Sequence, residues 1–289
     1  MMTLNQVVPT QNVDESLAAF ITKTASQQTY DTIRFLVDTD RVGEAYQAYG
    51  YFRWVDDWLD QGATDRAERI AFVERQQAVI DSVYRGVWPR NLSVEEEMIA
   101  ELIRVDQEPY SGLQAYIRNM MAVMAFDANR RGRLITHSEL TGYSHHLAVG
   151  VTEAMHYFIG HDEYCAPSEI RYRAVTAAHI THMLRDTCED IAAGYYNIPR
   201  EYIQKYGAVA LDVESEVYRE WVQSQVQLAR SYFLAGKDYL AQVPNTRCRM
   251  AGLAYCARFE ALLAIIEADD YRLRAYYPEQ GSTVVSGEE

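Results

Sequence analysis

Lysine is nearly missing from this 289-residue chain: Lys23, Lys205 and Lys237 are the only three among 27 basic residues. Positive charge therefore comes from arginine, whose planar guanidinium suits bidentate contact with phosphate or carboxylate. Against 41 Asp and Glu the bases leave a net charge of −14, which argues against a general affinity for nucleic acid or for an anionic membrane surface. Cysteine is scarce as well. Cys165, Cys188, Cys248 and Cys256 form no CxxC pair, so neither a zinc pattern nor a disulfide framework is present and a reducing compartment is the simplest expectation. No apolar run approaches the ~18 residues of a membrane span, and the opening MMTLNQVVPTQNVDES lacks the basic and apolar regions of a secretory signal. The expected location is cytoplasmic, with peripheral membrane contact left open. No P-loop, GxGxxG or GxSxG motif occurs, and no dedicated NADPH motif is present, so no NADPH is expected.

What is there describes a globular chain, 48% hydrophobic and 24% charged. Alternating strand patterns are scarce. Between most of the seven prolines lie segments with apolar residues at three- and four-residue spacing, which means helices. The spacing predicts them over 12–25, 41–61, 64–85, 93–105, 110–130, 137–160, 168–196, 212–241 and 246–270. Ser93 with Glu96 forms a capping box, and Pro167 with Ser168 opens another helix. The expected architecture is one all-α domain over 1–289, a large helical bundle, with flexible ends at about 1–11 and 278–289.

Two acidic runs carry the chemistry. In AYGYFRWVDDWLDQ, Tyr49, Arg53, Asp56 and Asp60 fall within roughly 60° on a helix, opposite Phe52, Val55 and Leu59, with Asp57 beside them. In HITHMLRDTCEDIAAGYYNIP, His179, His182, Asp186 and Asp190 fall within roughly 80°, flanked by Arg185 and Glu189. Either run alone is compatible with a solvated acidic face. Facing each other, the two helices would hold four carboxylates around a cavity, and hard divalent cations are the natural complement to so much buried negative charge. Mg²⁺ takes oxygen ligands and binds through one or two carboxylates plus substrate phosphates. A ferritin-like di-iron bundle needs two Glu-x-x-His motifs, and only Glu153–His156 occurs, which reads as a helix-surface coincidence. His145 and His146 are adjacent and cannot share a helix face.

These residues resemble the squalene/phytoene synthase family, the head-to-head branch of the trans-isoprenyl diphosphate synthases. Tyr49 to Asp60 is similar to its Y-x-x-x-R-x-x-D-D-x-x-D segment, and LRDTCED at 184–190 to its L-R-D-x-x-E-D segment. The likeness continues through FDANRRGRLITHSELTGYSHHLAVG, IPREYIQKYG and EALLAIIEADDYRL, spanning roughly 29–276 in order. The resemblance implies an isoprenoid-synthase helical bundle around a central cavity. Two or three Mg²⁺ ions held by Asp56, Asp57, Asp60, Asp186, Glu189 and Asp190 would bind an allylic diphosphate and help it depart. Arg53 and Arg185 are the expected diphosphate contacts, or else pair with neighbouring Asp. Tyr49 and Tyr143 are the foremost aromatic candidates to shield the allylic cation.

Departures from the family pattern are equally specific. His179 and His182 stand where it usually has Gln and Asn, and Gln27, Thr29 and Tyr30 where it has S-x-S-F. Asn197 and Phe259 each replace a Tyr, and a Gly gives way near Thr152. The resemblance therefore supports three expectations. The first is head-to-head joining of two prenyl diphosphates. The second keeps ionisation but transfers to an aromatic acceptor such as a carbazole, or cyclises one chain, with His179 or His182 as base or orienting group; both could instead be core residues. The third is a non-catalytic assembly factor, disfavoured by retention of every acidic position. Prenyl chain length, acceptor and oligomeric state are not encoded legibly.

Overall fold

The computed structural model describes residues 16–62, 65–106, 108–160 and 168–277. Among them every regular element is helical, and the single β-type contact is an isolated bridge between Leu134 and Tyr196. The expected tails and Cys165 lie outside the described residues, as do Pro167 and the first residues of the helix expected at 12–25.

Helix starts follow local capping chemistry. Ser16 caps α1 (Leu17–Ala25) by accepting from the Ala19 N–H, and Ser26 ends that helix while capping α2 (Gln27–Leu36). The spacing rule missed α2: its apolar stripe is thin, and only Ile33 is fully buried. α3 (Val42–Asp57) runs into a π-helical turn at Trp58–Gly62, so the continuous α-helix expected over 41–61 ends early. α4 (Arg66–Tyr84) is capped by Asp65, α5 (Val94–Val105) carries the expected Ser93/Glu96 capping box, and α6 (Gly112–Arg130) starts at Ser111. A second box, Thr136/Glu139, opens α7 (His137–Ile159). Ser168 caps only a 3₁₀ turn, Glu169–Tyr172, which leads into α8 (Arg173–Ala193). α8 stops before the expected residue 196 because Gly194 adopts φ 88°, the left-handed conformation that closes a helix. The short α9 (Arg200–Tyr206) was not anticipated, having no buried residue to mark its period. α10 (Glu216–Leu240) and α11 (Thr246–Ala268) complete the bundle.

The core takes the predicted apolar faces: Phe52, Val55 and Leu59 are buried, as are Leu102, Ile117 and Phe233. α8 and α10 cross so closely that a Cβ on Gly236 would stand 2.5 Å from the Ala174 backbone nitrogen, which only glycine tolerates. Chain direction then fixes the site. Gly132 N–H donates to Gly194 O (2.8 Å) and Arg200 N–H to Ile135 O (2.7 Å), so the C-terminal ends of α6 and α8 meet the start of α7. Asp60, just past α3, meets Tyr195 at the same end. Three helix carboxyl ends, each carrying partial negative charge, thus gather where the acidic side chains lie.

Candidate active site

α3 and α8 each deliver one well-paired and one poorly compensated aspartate. Arg53 donates to Asp56 Oδ2 (3.3 Å) and also bonds Asp57. Asp56 is nevertheless raised to about 7, by burial first and then by Asp60 and Asp127. Its side chain keeps 40% of its surface exposed, so water still screens that charge. Asp60 is raised for the same reasons, with the Tyr195 phenol 3.5 Å away. On α8, Arg185 grips Asp186 through Nε (2.6 Å) and Nη2 (2.9 Å). Asp190 accepts from Asn197 Nδ2 (2.7 Å) yet is raised to about 7, mainly by burial against the lowering pull of Arg130. Glu189 is exposed.

The two helices are linked by residues the sequence reading did not single out. Asp127 on α6 raises Asp56, Asp60 and Asp190 alike and is itself raised by burial. Arg130, one turn further, donates to Asp127 Oδ1 (2.6 Å) and to Asn197 Oδ1 (2.7 Å). Its guanidinium lies 4.8 Å from the ring centres of both Tyr143 and Tyr195, a buried cation between two π-faces. Tyr143 also donates to Asp127 Oδ2 (3.1 Å). Both Asp127 and Arg130 sit in the quoted segment FDANRRGR; an Asp and Arg three apart on a helix were the available signal.

Beside this polar end lies a cavity of about 480 Å³ whose walls are largely apolar, including Leu36, Met155, Phe158 and Tyr255. Tyr49, His182 and Phe259 line it, while Asp186 and Glu189 line an adjoining pocket of about 220 Å³ that shares Arg258 and Phe259 with it. Tyr49 meets the Thr29 hydroxyl and has its pKa raised by burial. Tyr30 stacks on Tyr46 (5.2 Å). His182 exposes 47% of its side chain, toward this cavity, and contacts Asp186 (3.2 Å) and Arg185. Its pKa is pushed down, by burial first, as is that of His179, to about 3. His179 packs edge-on against Tyr143 (5.1 Å) with both ring nitrogens unpartnered. Both imidazoles are therefore neutral near pH 7.

Among the described residues, no three His, Cys, Asp or Glu side chains group closely enough to hold a metal ion. Glu153 and His156 are not a surface coincidence. Glu153 binds Arg171 (2.9 Å) and Tyr172 (2.7 Å), while His156 is buried against Tyr239 (3.3 Å) and Cys248 (3.7 Å). His146 bonds Asn119 (2.8 Å).

A profile of squalene/phytoene synthases matches residues 22–285. The chain belongs to the squalene/phytoene synthase family. This is a family of prenyltransferases. Presqualene diphosphate synthase of Rhodopseudomonas palustris (strain ATCC BAA-98 / CGA009) is 25% identical over 167 residues, 58% of this chain and 56% of that protein. The alignment thus spans little more than half of that curated relative. The crystal structure of squalene synthase HpnC from Alicyclobacillus acidocaldarius superposes with a TM-score of 0.68 at 18% identity, covering 89% of this chain and 94% of that one. The fold is accordingly the helical isoprenoid synthase fold.

Proposed function

We propose that this protein is a prenyltransferase that ionises an allylic prenyl diphosphate at the acidic mouth and joins the prenyl cation to a second prenyl diphosphate, head to head. The observation that carries the reading is the adjacency of two environments: a charged end built from α3, α6 and α8, and a largely apolar cavity lined by Tyr49 and His182 of the same α3 and α8. A diphosphate suits the first and a prenyl chain the second. In the step itself the C1–oxygen bond breaks with its electron pair leaving on the diphosphate, an alkene of the second substrate supplies the electrons of the new carbon–carbon bond, and a proton is lost.

The donors at the mouth are all oxygen, and Asp56 and Asp190 are under-compensated, which suits a hard divalent cation bound partly through substrate phosphate and water. Mg²⁺ held by Asp56, Asp60, Asp186 and Asp190, with Asp57 and Glu189 beside them, would supply positive charge to the departing diphosphate. Arg53, Arg185 and Arg130 add fixed positive charge, oriented before the reaction begins. The apolar walls exclude water from the cation, and the π-faces of Tyr49 and Phe259 stabilise it.

His182 supports a second reading. A neutral imidazole lining the cavity can accept the proton lost when an aromatic ring or a single folded chain traps the cation. Incubation with one allylic diphosphate at a time, followed by mass analysis, separates the readings. A product of twice the chain length supports head-to-head joining; single-chain products support cyclisation; product only on adding an aromatic acceptor supports transfer to that ring.

A further inference from the structure

Beyond α11 the chain reverses at Asp270 and Tyr271, whose φ values of 55° and 61° are left-handed. Residues 272–277 then return beside α8 as an irregular strap, the Cys188 thiol reaching the Arg274 carbonyl (3.9 Å). The strap is pinned along its length. Leu273 and Tyr277 are buried, Arg274 donates to Asp269 (2.9 Å), the Tyr277 phenol accepts from the Arg274 N–H (3.0 Å), and Arg219 holds Asp270 (2.7 Å). Ala275, Tyr276 and Tyr277 thereby form one wall of the pocket of about 220 Å³ whose other walls include Asp186 and Glu189 of α8 and Arg258 of α11.

Two large side chains in that pocket have nothing to hold. Tyr276 is 71% exposed and makes no hydrogen bond or ring contact among the described residues. A single exposed aromatic is ordinary on a surface, but this one stands on a pinned backbone at the rim of the acidic mouth. Arg258 is half-buried, its guanidinium 5.5 Å from the Phe259 ring centre, and it forms no hydrogen bond or ion pair among the described residues. A cation drawn partly out of water without a counter-charge costs free energy that a bound anion would offset. Arg258 and Phe259 also line the main cavity, so the pocket joins the acidic mouth to the apolar chamber. Tyr110, 90% exposed, lines neither.

We infer that the strap is the outer wall of the reaction chamber and that the Tyr276 ring turns over the bound substrate, so that the allylic cation meets the second substrate and not water. The inference rests on the ionisation proposed above. Once the C1–oxygen bond has broken, two nucleophiles compete for C1. An alkene of the second substrate forms the carbon–carbon bond, whereas a water oxygen bonds C1 and loses a proton, giving a prenyl alcohol. A ring closing the pocket shuts out the second route, and its π-face attracts the neighbouring positive charge. Arg258, at the same pocket, meets the oxyanions of the diphosphate that its guanidinium lacks in the free chain.

Closure and partition are tested separately. Nitration of the free chain with tetranitromethane, read by peptide mass, should modify both Tyr276 and Tyr110. Mg²⁺ with farnesyl thiolodiphosphate, an unreactive analogue, should protect Tyr276 about tenfold and leave Tyr110 unprotected. In turnover of farnesyl diphosphate, Tyr276→Ser should raise the ratio of farnesol to carbon–carbon-joined product about tenfold. Tyr276→Phe, which keeps the ring, should retain the wild-type ratio, and Tyr110→Ser should not alter it. Circular dichroism of each variant separates a changed ratio from lost folding. Equal labelling of Tyr276 with and without the analogue overturns the inference, as does an unchanged ratio in Tyr276→Ser. Protection of Tyr276 without diphosphate release by wild type would refute the proposed ionisation and leave the closing strap standing.

Discussion

α3 and α8 carry the same device, two aspartates four residues apart beside an arginine, yet they finish differently. α8 remains regular to Ala193 and is closed by Gly194, and its Asp190 is held by Asn197. α3 changes to a π-turn at Trp58, so Asp60 leaves on a wider turn toward Tyr195. In both, one aspartate is matched by arginine, Asp57 by Arg53 and Asp186 by Arg185, while a second is raised to about 7. The difference teaches that the spacing specifies where charge is placed, and the neighbours decide which carboxylate remains available to a cation. Arg130 and Asp127 set that division from α6.

The largest expected effect is on the under-compensated pair. Asp56→Asn or Asp190→Asn should lower diphosphate release by about 10³-fold, with the melting temperature held or slightly raised because a repelled charge is removed; near-full activity in either variant would place the reaction elsewhere. Arg130→Met should be harmful in a different way. It leaves Asp127 and Asp190 without their common counter-charge and should cost about 3–5 kcal/mol of stability, read by denaturant titration. Asp127→Asn, which keeps the shape, should reduce kcat about 10–100-fold while the protein stays folded; an unchanged kcat would make Asp127 merely structural. At the cavity wall, His182→Asn with His179→Gln should change the ratio of products by about tenfold, ~1.4 kcal/mol, with diphosphate release little affected. A constant product profile would make both histidines packing residues.

A separate effect, on stability rather than turnover, concerns His156, which lies on α7 outside both acidic helices. Burial lowers it to about 4, so below the unfolded value of about 6.5 the unfolded chain takes up a proton that the folded chain refuses. Stability should therefore fall as pH drops from about 6.5 to about 4, by about 3 kcal/mol across the window. His156→Gln should flatten that slope in melting curves taken across it, and an unchanged slope would point to other groups.

The helical architecture and the acidic faces were legible because they follow from spacing: Phe52, Val55 and Leu59 are buried opposite Asp56, as a helical period requires. Caps with a fixed signature, such as Ser93 with Glu96, were legible too. α2 was not, since its stripe is thin, nor was α9, whose residues bury nothing. The π-turn leaves no compositional mark. Asp127 and Arg130 were hidden for a further reason: their importance comes from Asp56, Asp190 and Asn197 on other elements, and a one-dimensional pattern does not display tertiary neighbours.

The central claim is that the open aspartates of α3 and α8 jointly ionise an allylic diphosphate beside the apolar cavity. Its most direct test is diphosphate release from farnesyl diphosphate with Mg²⁺, alone and with an aromatic acceptor, comparing wild type, Asp56→Asn and Asp190→Asn. The account predicts release by wild type, with both variants reduced by about 10³-fold. Release that persists in either variant, or a wild type that binds the substrate and never releases diphosphate, would contradict it.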